Sequence, residues 1–305
     1  MRSYKMGENS DSTGTGDPGP GRGATRIVSC ELSFVVAEPA EVVLQVTASR
    51  TSGIVLNQRL DCSTDREPLP VAELLGPNGT NSQVLASPPG RLHVDYRAEL
   101  RATAPQRPPS ATAPTEPAND LGQSFSYSRL VYLRPSRYCP SDHLVGFAVA
   151  EFGMESSVRS RVEAITEWIR DRVGYVAGSS SVHDSAEHTL LTGVGTCRDF
   201  AHLGVALCRA VGIPARFASV YAPGLFPMDF HAVFEVLDGG RWFAYDATDL
   251  APRATMVRIA TGRDAADAAF ASVISGIATL EFLEVTATTD GDLHADERGS
   301  HVELA

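Results

Sequence analysis

Residues 193–214 read GVGTCRDFAHLGVALCRAVGIP, and this stretch decides the fold. The run FAHLGVALCRAV is apolar nearly all round and stops at Gly212, with Pro214 just beyond, which is how a buried helix ends. The pattern predicts a central helix from about Cys197 to Val211. Gly193 and Gly195 permit a tight turn into it. Cys197 therefore stands in the first helical turn, among unpaired backbone N–H groups at the positive end of the helix dipole, a setting that favours a thiolate. Its own N–H is a candidate oxyanion donor. Cys208, deep in the same helix, reads as an inert core thiol.

Three strand candidates follow, ARFASVY, FHAVFEV and RWFAYDA, the last two separated by Leu237-Asp238-Gly239-Gly240. With Asp238-Gly239 as a two-residue type I′ loop, Leu237 pairs with Gly240 and His231 falls directly opposite Asp246. Their Cβ atoms would then be about 4.5–5.5 Å apart on one face. A Gly239-Gly240 loop instead sets His231 opposite Thr248 and leaves Asp246 a diagonal neighbour on the same face. An Asp that accepts a hydrogen bond from one imidazole nitrogen fixes the tautomer and leaves the other nitrogen to take a thiol proton. Cys197, His231 and Asp246 thus have the complementary roles of nucleophile, base and orienting group.

The rest of the chain divides by composition. Residues 1–24, rich in Gly, Ser, Asp and Pro, are expected to be disordered. From 25 to 104, the β-branched runs IVSCELSFVV, VVLQVTA and LHVDYRAEL alternate with turn-rich stretches and predict a small antiparallel β domain. Five prolines in residues 105–128 indicate an extended linker. Residues 129–288 mix helix and strand signals and form the expected catalytic body, while 289–305 is polar, acidic and expected to fray. Within the body, Val158, Val162, Ile165, Ile169 and Val173 recur at helical spacing, with Ser156 or Ser157 as N-cap.

A formal charge of −11 without a Lys/Arg cluster argues against a nucleic-acid partner. The absence of any run of about 18 apolar residues argues against a membrane one, and no apolar leader opens the sequence, so a cytoplasmic setting is expected. The five cysteines, Cys30, Cys62, Cys139, Cys197 and Cys208, include no C-x-x-C pair and suggest free thiols. His183, His188 and His202 form no zinc-binding spacing. Arg198 is either a substrate or carboxylate contact or solvent-facing, and Asp199 favours the helix dipole. Tyr221 reads as core or cleft lining, and Arg258, Arg263 and Asp264 as a structural ion-pair network.

GVGTCRDFAHLGVALCRAVGIPARFASVY, followed by DFHAVFEV and RWFAYDAT, resembles the bacterial transglutaminase-like proteins, a papain-like superfamily. The family's Cys, His and Asp motifs match at Cys197, His231 and Asp246. The resemblance covers about 130–280, and RLVYLRPSRYCPSD and VRIATGRDAADAAF are similar to the same bacterial subgroup. Residues 25–104 resemble the β-rich N-terminal region that many bacterial members carry. The resemblance implies an α+β, papain-like catalytic core behind a β-sandwich-like domain. It also implies a catalytic triad acting on a peptide or protein amide through a thioester, with no cofactor. Arg198 stands where animal transglutaminases have Trp, and no D-x-D-x-D-G calcium loop is present. The family includes proteases, amidases and transglutaminases, and also inactive members, so a non-catalytic scaffold is the alternative reading.

Overall fold

A computed structural model describes residues 23–102, 127–291, 293 and 300–304. The expected N-terminal tail and the proline-rich linker lie outside the described residues, apart from 23–24 and 127–128. The N-terminal strands are β1 (Thr25–Leu44), β2 (Ile54–Thr64), β3 (Ala72–Leu75), β4 (Asn81–Ser87) and β5 (Gly90–Arg101). They pair antiparallel in the order β2-β5-β1-β4-β3. Alternation creates their inner face: Val28, Cys30, Leu32 and Phe34 on β1, and Leu92, Val94, Tyr96, Ala98 and Leu100 on β5, are all buried.

The helices α1 (Tyr127–Tyr132), α2 (Val145–Phe152) and α3 (Val158–Arg172) come next. The predicted amphipathic helix is α3; Ser157 caps it by accepting from the Ser160 N–H, and Val162, Ile165 and Ile169 face the core. Then come β6 (Gly174–Tyr175), α4 (Ala186–Thr192), β7 (Val194–Gly195) and α5 (Cys197–Ala210). Every α5 residue from Asp199 to Arg209 is buried, as its all-round apolar sequence requires. It packs on an antiparallel sheet ordered β10-β9-β8-β11, made of β8 (Ala215–Tyr221), β9 (Phe230–Asp238), β10 (Arg241–Tyr245) and β11 (Val257–Gly262). The two approach closely at Gly204, where a Cβ would stand 2.6 Å from the Phe234 ring of β9. The α+β class is as read from the sequence.

Of the two hairpin registers weighed from the sequence the structure takes the second, and two further features depart from the sequence reading. The β9–β10 hairpin turns at Gly239-Gly240, not Asp238-Gly239, because Arg241 pairs with Asp238 and Trp242 with Leu237. A type I′ turn needs positive φ at both central positions, and two glycines supply φ of 57° and 80° without steric cost. His231 is consequently diagonal to Asp246. Second, β12 (Ala271–Thr289) lies, but for Thr289, in the 129–288 span assigned to the catalytic body, yet it pairs with β1 from Arg26↔Thr289 to Leu44↔Ala271. Third, residues 300–304 are not frayed. The Ala244 N–H donates to the Val302 carbonyl at 2.7 Å, satisfying an edge of β10, and Leu304 is buried.

The two sheets share one hydrophobic core, in which Tyr96 and Leu92 meet Phe217, Tyr221 and Ile259. Tyr221 donates its hydroxyl to the Val46 carbonyl at 2.7 Å, and the Arg258 carbonyl accepts from the Ser49 N–H and the Ser52 hydroxyl.

Candidate active site

β9 delivers His231 to the interior, and the chain leaving β10 delivers Asp246; both are buried. His231 Nε2 lies 2.8 Å from Asp246 Oδ2. Because a carboxylate only accepts, Nε2 carries a proton. The other carboxylate oxygen accepts from the Thr248 N–H at 2.8 Å and the Thr248 hydroxyl at 2.7 Å. Arg170 of α3 donates to the Asp246 carbonyl at 3.1 Å, which ties this loop to the helical layer.

Burial alone would raise the Asp246 pKa, but the His231 charge and hydrogen bond, with those from Thr248, hold it below the ordinary carboxylate value. Burial would likewise lower that of His231; the Asp246 carboxylate, with a smaller contribution from Cys197, overrides this and raises it to about 10. His231 Nδ1 is buried without another hydrogen-bond partner, and Cys197 bears on the ring. The arrangement keeps a proton on the imidazole beside the thiol.

Cys197 opens α5, and Thr196 before it is fixed by Asp199, whose Oδ2 accepts from the Thr196 N–H at 2.8 Å and hydroxyl at 3.0 Å. Cys197 is part-exposed, whereas Cys30, Cys62, Cys139 and Cys208 are buried. Burial pushes the Cys30 and Cys139 thiols up to about 12 and Cys62 to about 11, and Cys208 rises further for the same reason. The three residues singled out in the sequence therefore converge on one place, where α5 begins against β9.

The other candidates go elsewhere. Arg198 is a strap: its guanidinium lies 5.6 Å from the Tyr138 ring centroid and donates to Ser180 Oγ at 2.9 Å and to the Ser181 carbonyl. His202 is fully buried between the Tyr138 and Phe217 rings, and its Nε2 accepts from the Ala265 N–H at 3.1 Å. Burial lowers its pKa to about 3, so it is a neutral core histidine. His183 and His188 are exposed, and among the described residues no three His, Cys, Asp or Glu are grouped to hold a metal ion.

Tyr221 is core. Arg258 and Arg216 flank the buried Glu235, Arg263 pairs with Asp267, and Asp264 accepts from the Tyr138 and Ala266 N–H groups. Two residues at the site drew no notice in the sequence. Tyr175 lies opposite Gly195 in the β6–β7 ribbon with its ring 6.0 Å from that of Phe200 in α5, and Asp229, two residues before His231, has its carboxyl pKa raised by partial desolvation. Tyr175 lies outside the runs that carry the family resemblance, whereas Asp229 opens DFHAVFEV, in which His231 carries the chemical signal.

A helix-borne thiol beside an imidazole–carboxylate pair on an antiparallel sheet defines the general cysteine-enzyme class. A family model described as the transglutaminase-like superfamily matches residues 148–247, which contain all three residues. A solved structure from Cytophaga hutchinsonii, provisionally named a cysteine protease, is 35% identical with a TM-score of 0.79, covering 90% of this chain and 94% of that one. An uncharacterised protein of Mycobacterium leprae (strain TN) is 30% identical over 148 residues, 45% of this chain, and the match spans only 52% of that curated relative's length. The chain belongs to the transglutaminase-like superfamily.

Proposed function

We propose that the protein is an acyl-transfer enzyme that hydrolyses peptide or protein amides through a thioester on Cys197. The observation that carries this reading is the buried His231–Asp246 pair at 2.8 Å, with its remaining ring nitrogen left for the thiol at the start of α5. His231 takes the thiol proton, and the sulfur attacks the amide carbonyl carbon. A C–S bond forms and the carbonyl π pair moves onto oxygen. Collapse breaks the C–N bond, and the imidazolium protonates the departing amine. Water, deprotonated by His231, then attacks the thioester, releasing the acid and restoring the thiol. Asp246 holds the tautomer and stabilises the imidazolium throughout. No step requires a cofactor.

The provisional cysteine-protease name of the Cytophaga hutchinsonii relative supports the same class. Five unpaired cysteines favour a reducing, cytoplasmic setting, and among the described residues no helix is long and apolar enough to cross a membrane. Hydrolysis is favoured over transamidation because the sequence lacks a D-x-D-x-D-G calcium loop. The test supplies a glutamine peptide and an amide library with a fluorescent primary amine, with and without EDTA. Free acid should dominate and be unaffected by EDTA; predominant conjugate that is lost with EDTA would overturn the hydrolase reading.

A further inference from the structure

We propose that the outer edge of β10 and the apolar pocket beside it form a docking site for an extended peptide, that residues 300–304 are its occupant, and that occupancy holds the Asp246 side of the active site in its working position. The inference rests on the acyl-transfer reading and adds a control on it. In the sheet ordered β10-β9-β8-β11, β10 is an outer strand, and among the described residues no strand pairs with its far side. The 300–304 segment lies there instead. The Ala244 N–H donates to the Val302 carbonyl at 2.7 Å, the His301 ring centroid lies 4.4 Å from that of Phe243, and Glu303 pairs with Arg241. Arg253 donates to the Ser300 hydroxyl at 3.0 Å.

The anchor is Leu304, which is 6% exposed. Its side chain joins a small apolar cluster, apart from the two larger cores, that includes Leu225, Val233, Ala244, Ala251 and Met256. Its carbonyl accepts from Arg258 at 3.3 Å, and Arg258 is held in turn by the fully buried Glu235, which also pairs with Arg216 at 2.7 Å. A buried guanidinium is thus aimed at the main chain of the segment, while the pocket and the rim read its side chains. The pattern that fits is an aliphatic residue, an acidic one just before it for Arg241, and a flat ring three positions before it for Phe243. Among the described residues the attachment amounts to one backbone–backbone hydrogen bond, one deeply buried side chain and a few polar contacts, a sum that suits reversible docking.

The position of the pocket connects it to the site. Ala244 lies two residues before Asp246, and both of its backbone groups are tied on the docking side. Its N–H donates to Val302, and its carbonyl accepts at 2.8 Å from Arg253, the guanidinium that also holds Ser300. Val233 lies two residues beyond His231 on the same face of β9. Leu225 belongs to the segment that leads into β9, and Ala251 and Met256 to the segment that leaves Asp246. Leu304 therefore packs between the chain entering the His231 strand and the chain leaving Asp246. Undocking empties that space and frees the Ala244 N–H, so the 2.8 Å contact between His231 Nε2 and Asp246 Oδ2 loses one of its supports. The imidazole is then less well oriented toward the thiol.

The test is Leu304→Asp in the full chain, which puts a carboxylate into an apolar pocket and releases the segment. Hydrogen exchange across residues 241–247, read by mass spectrometry, should quicken. Acylation of Cys197 by p-nitrophenyl acetate should slow between about 10- and 100-fold, the scale of a misplacement of up to about 1 Å, and with an amide substrate kcat should fall while KM stays within about twofold. A capped synthetic peptide SHVELA, the sequence of residues 300–305, added at millimolar concentration, should restore most of the exchange protection and of the rate. The same peptide carrying Leu304→Asp should restore neither. Unchanged exchange in the variant, or fast exchange with a wild-type rate, would overturn the proposal. So would a loss of rate that the peptide does not reverse in a variant that still melts cooperatively, because Leu304 would then be ordinary packing. If Leu304→Asp does not melt cooperatively, Leu304→Ala carries the same readings with a smaller loss. Wild-type protein that iodoacetamide alkylates but p-nitrophenyl acetate never acylates would instead overturn the acyl-transfer reading, and exchange across 241–247 would still decide whether the peptide docks.

Discussion

Gly204→Ala tests whether the approach of α5 to β9 sets the geometry of the site. Gly204 lies about two turns along α5 from Cys197, on the same helical face. An added Cβ would meet Phe234 Cδ1 and Cε1 at 2.6 Å and Cζ at 2.9 Å. Comfortable carbon–carbon contact is about 3.5–4.0 Å, so helix and strand must separate by about 1 Å. The ring has little room to turn, since Phe234 is fully buried and stacks on Tyr245 with centroids 5.7 Å apart. Overpacking of this kind costs about 1–3 kcal/mol, and the better helix propensity of Ala offsets up to ~1 kcal/mol of it. A net loss of ~1–2 kcal/mol should lower Tm by roughly 1.5–3 °C in a chain of this size. The rate should suffer more, because His231 precedes Phe234 by three residues on β9 and a misplacement of about 1 Å at a reacting pair costs about 100-fold. Thermal melting and Cys197 acylation measure the two effects. Phe234→Leu in the same chain should recover part of both losses by making room. A Gly204→Ala protein that melts at or above wild type and acylates at the wild-type rate would refute the reasoning.

Iodoacetamide near neutral pH should label Cys197 well before the four buried cysteines, and peptide mapping showing Cys208 or Cys139 labelled first would discard the nucleophile assignment. Asp246→Asn should stay folded but lose about a thousandfold or more in turnover, while Thr248→Ala, which removes one of two bonds to the same oxygen, should lose only about tenfold. Melting and turnover measurements on both variants check the ranking, which a fully active Asp246→Asn protein would contradict. His202 should make the fold acid-sensitive: its folded pKa of about 3 lies below the unfolded 6.5, so the unfolded chain gains a proton first and stability falls as pH drops through that window. His202→Gln, which keeps an acceptor for the Ala265 N–H, should flatten the acid limb of a stability profile between those limits. An unchanged limb would assign the acid sensitivity to other groups.

The parts of this fold visible in the sequence are those whose determinants are local. α3 and α5 were legible because helical spacing, a serine cap and a Gly-x-Pro stop lie within the segments themselves. The juxtaposition of His231 and Asp246 was legible because a short hairpin converts chain distance into spatial distance. Its register was not, since Asp-Gly and Gly-Gly both suit a type I′ turn and the choice rests on two φ values. β12 was illegible for a different reason. Its β-branched sequence signals a strand, but its partner β1 lies at the opposite end of the chain, and hydrophobic periodicity does not encode which edge a strand joins. Tyr175 was hidden likewise, because only a two-residue parallel pairing brings it to the helix start. Arg198 was weighed as a substrate contact or a solvent-facing charge, and its strapping of Ser180 and Ser181 depends on a loop with no periodic signal.

The N-terminal sheet has a physical role in this site beyond covering apolar surface. Tyr221 ends β8, stacks on Tyr96 of β5 and bonds the Val46 carbonyl; it also pairs across the ladder with Phe230, the residue immediately before His231. Phe230 in turn stacks at 5.1 Å on Phe270, which leads into β12, and Cys197 packs at the edge of the same core. The strand end carrying His231 and the helix end carrying Cys197 therefore pack on one core, to which strands from both ends of the sequence contribute. Packed interiors resist small displacements, so such packing limits drift in the distance between thiol and imidazole. The long return of β12 to β1 accordingly fixes the Phe270 side of the site, and the two sheets act as one support for the proposed reaction, which would depend on ångström-scale placement.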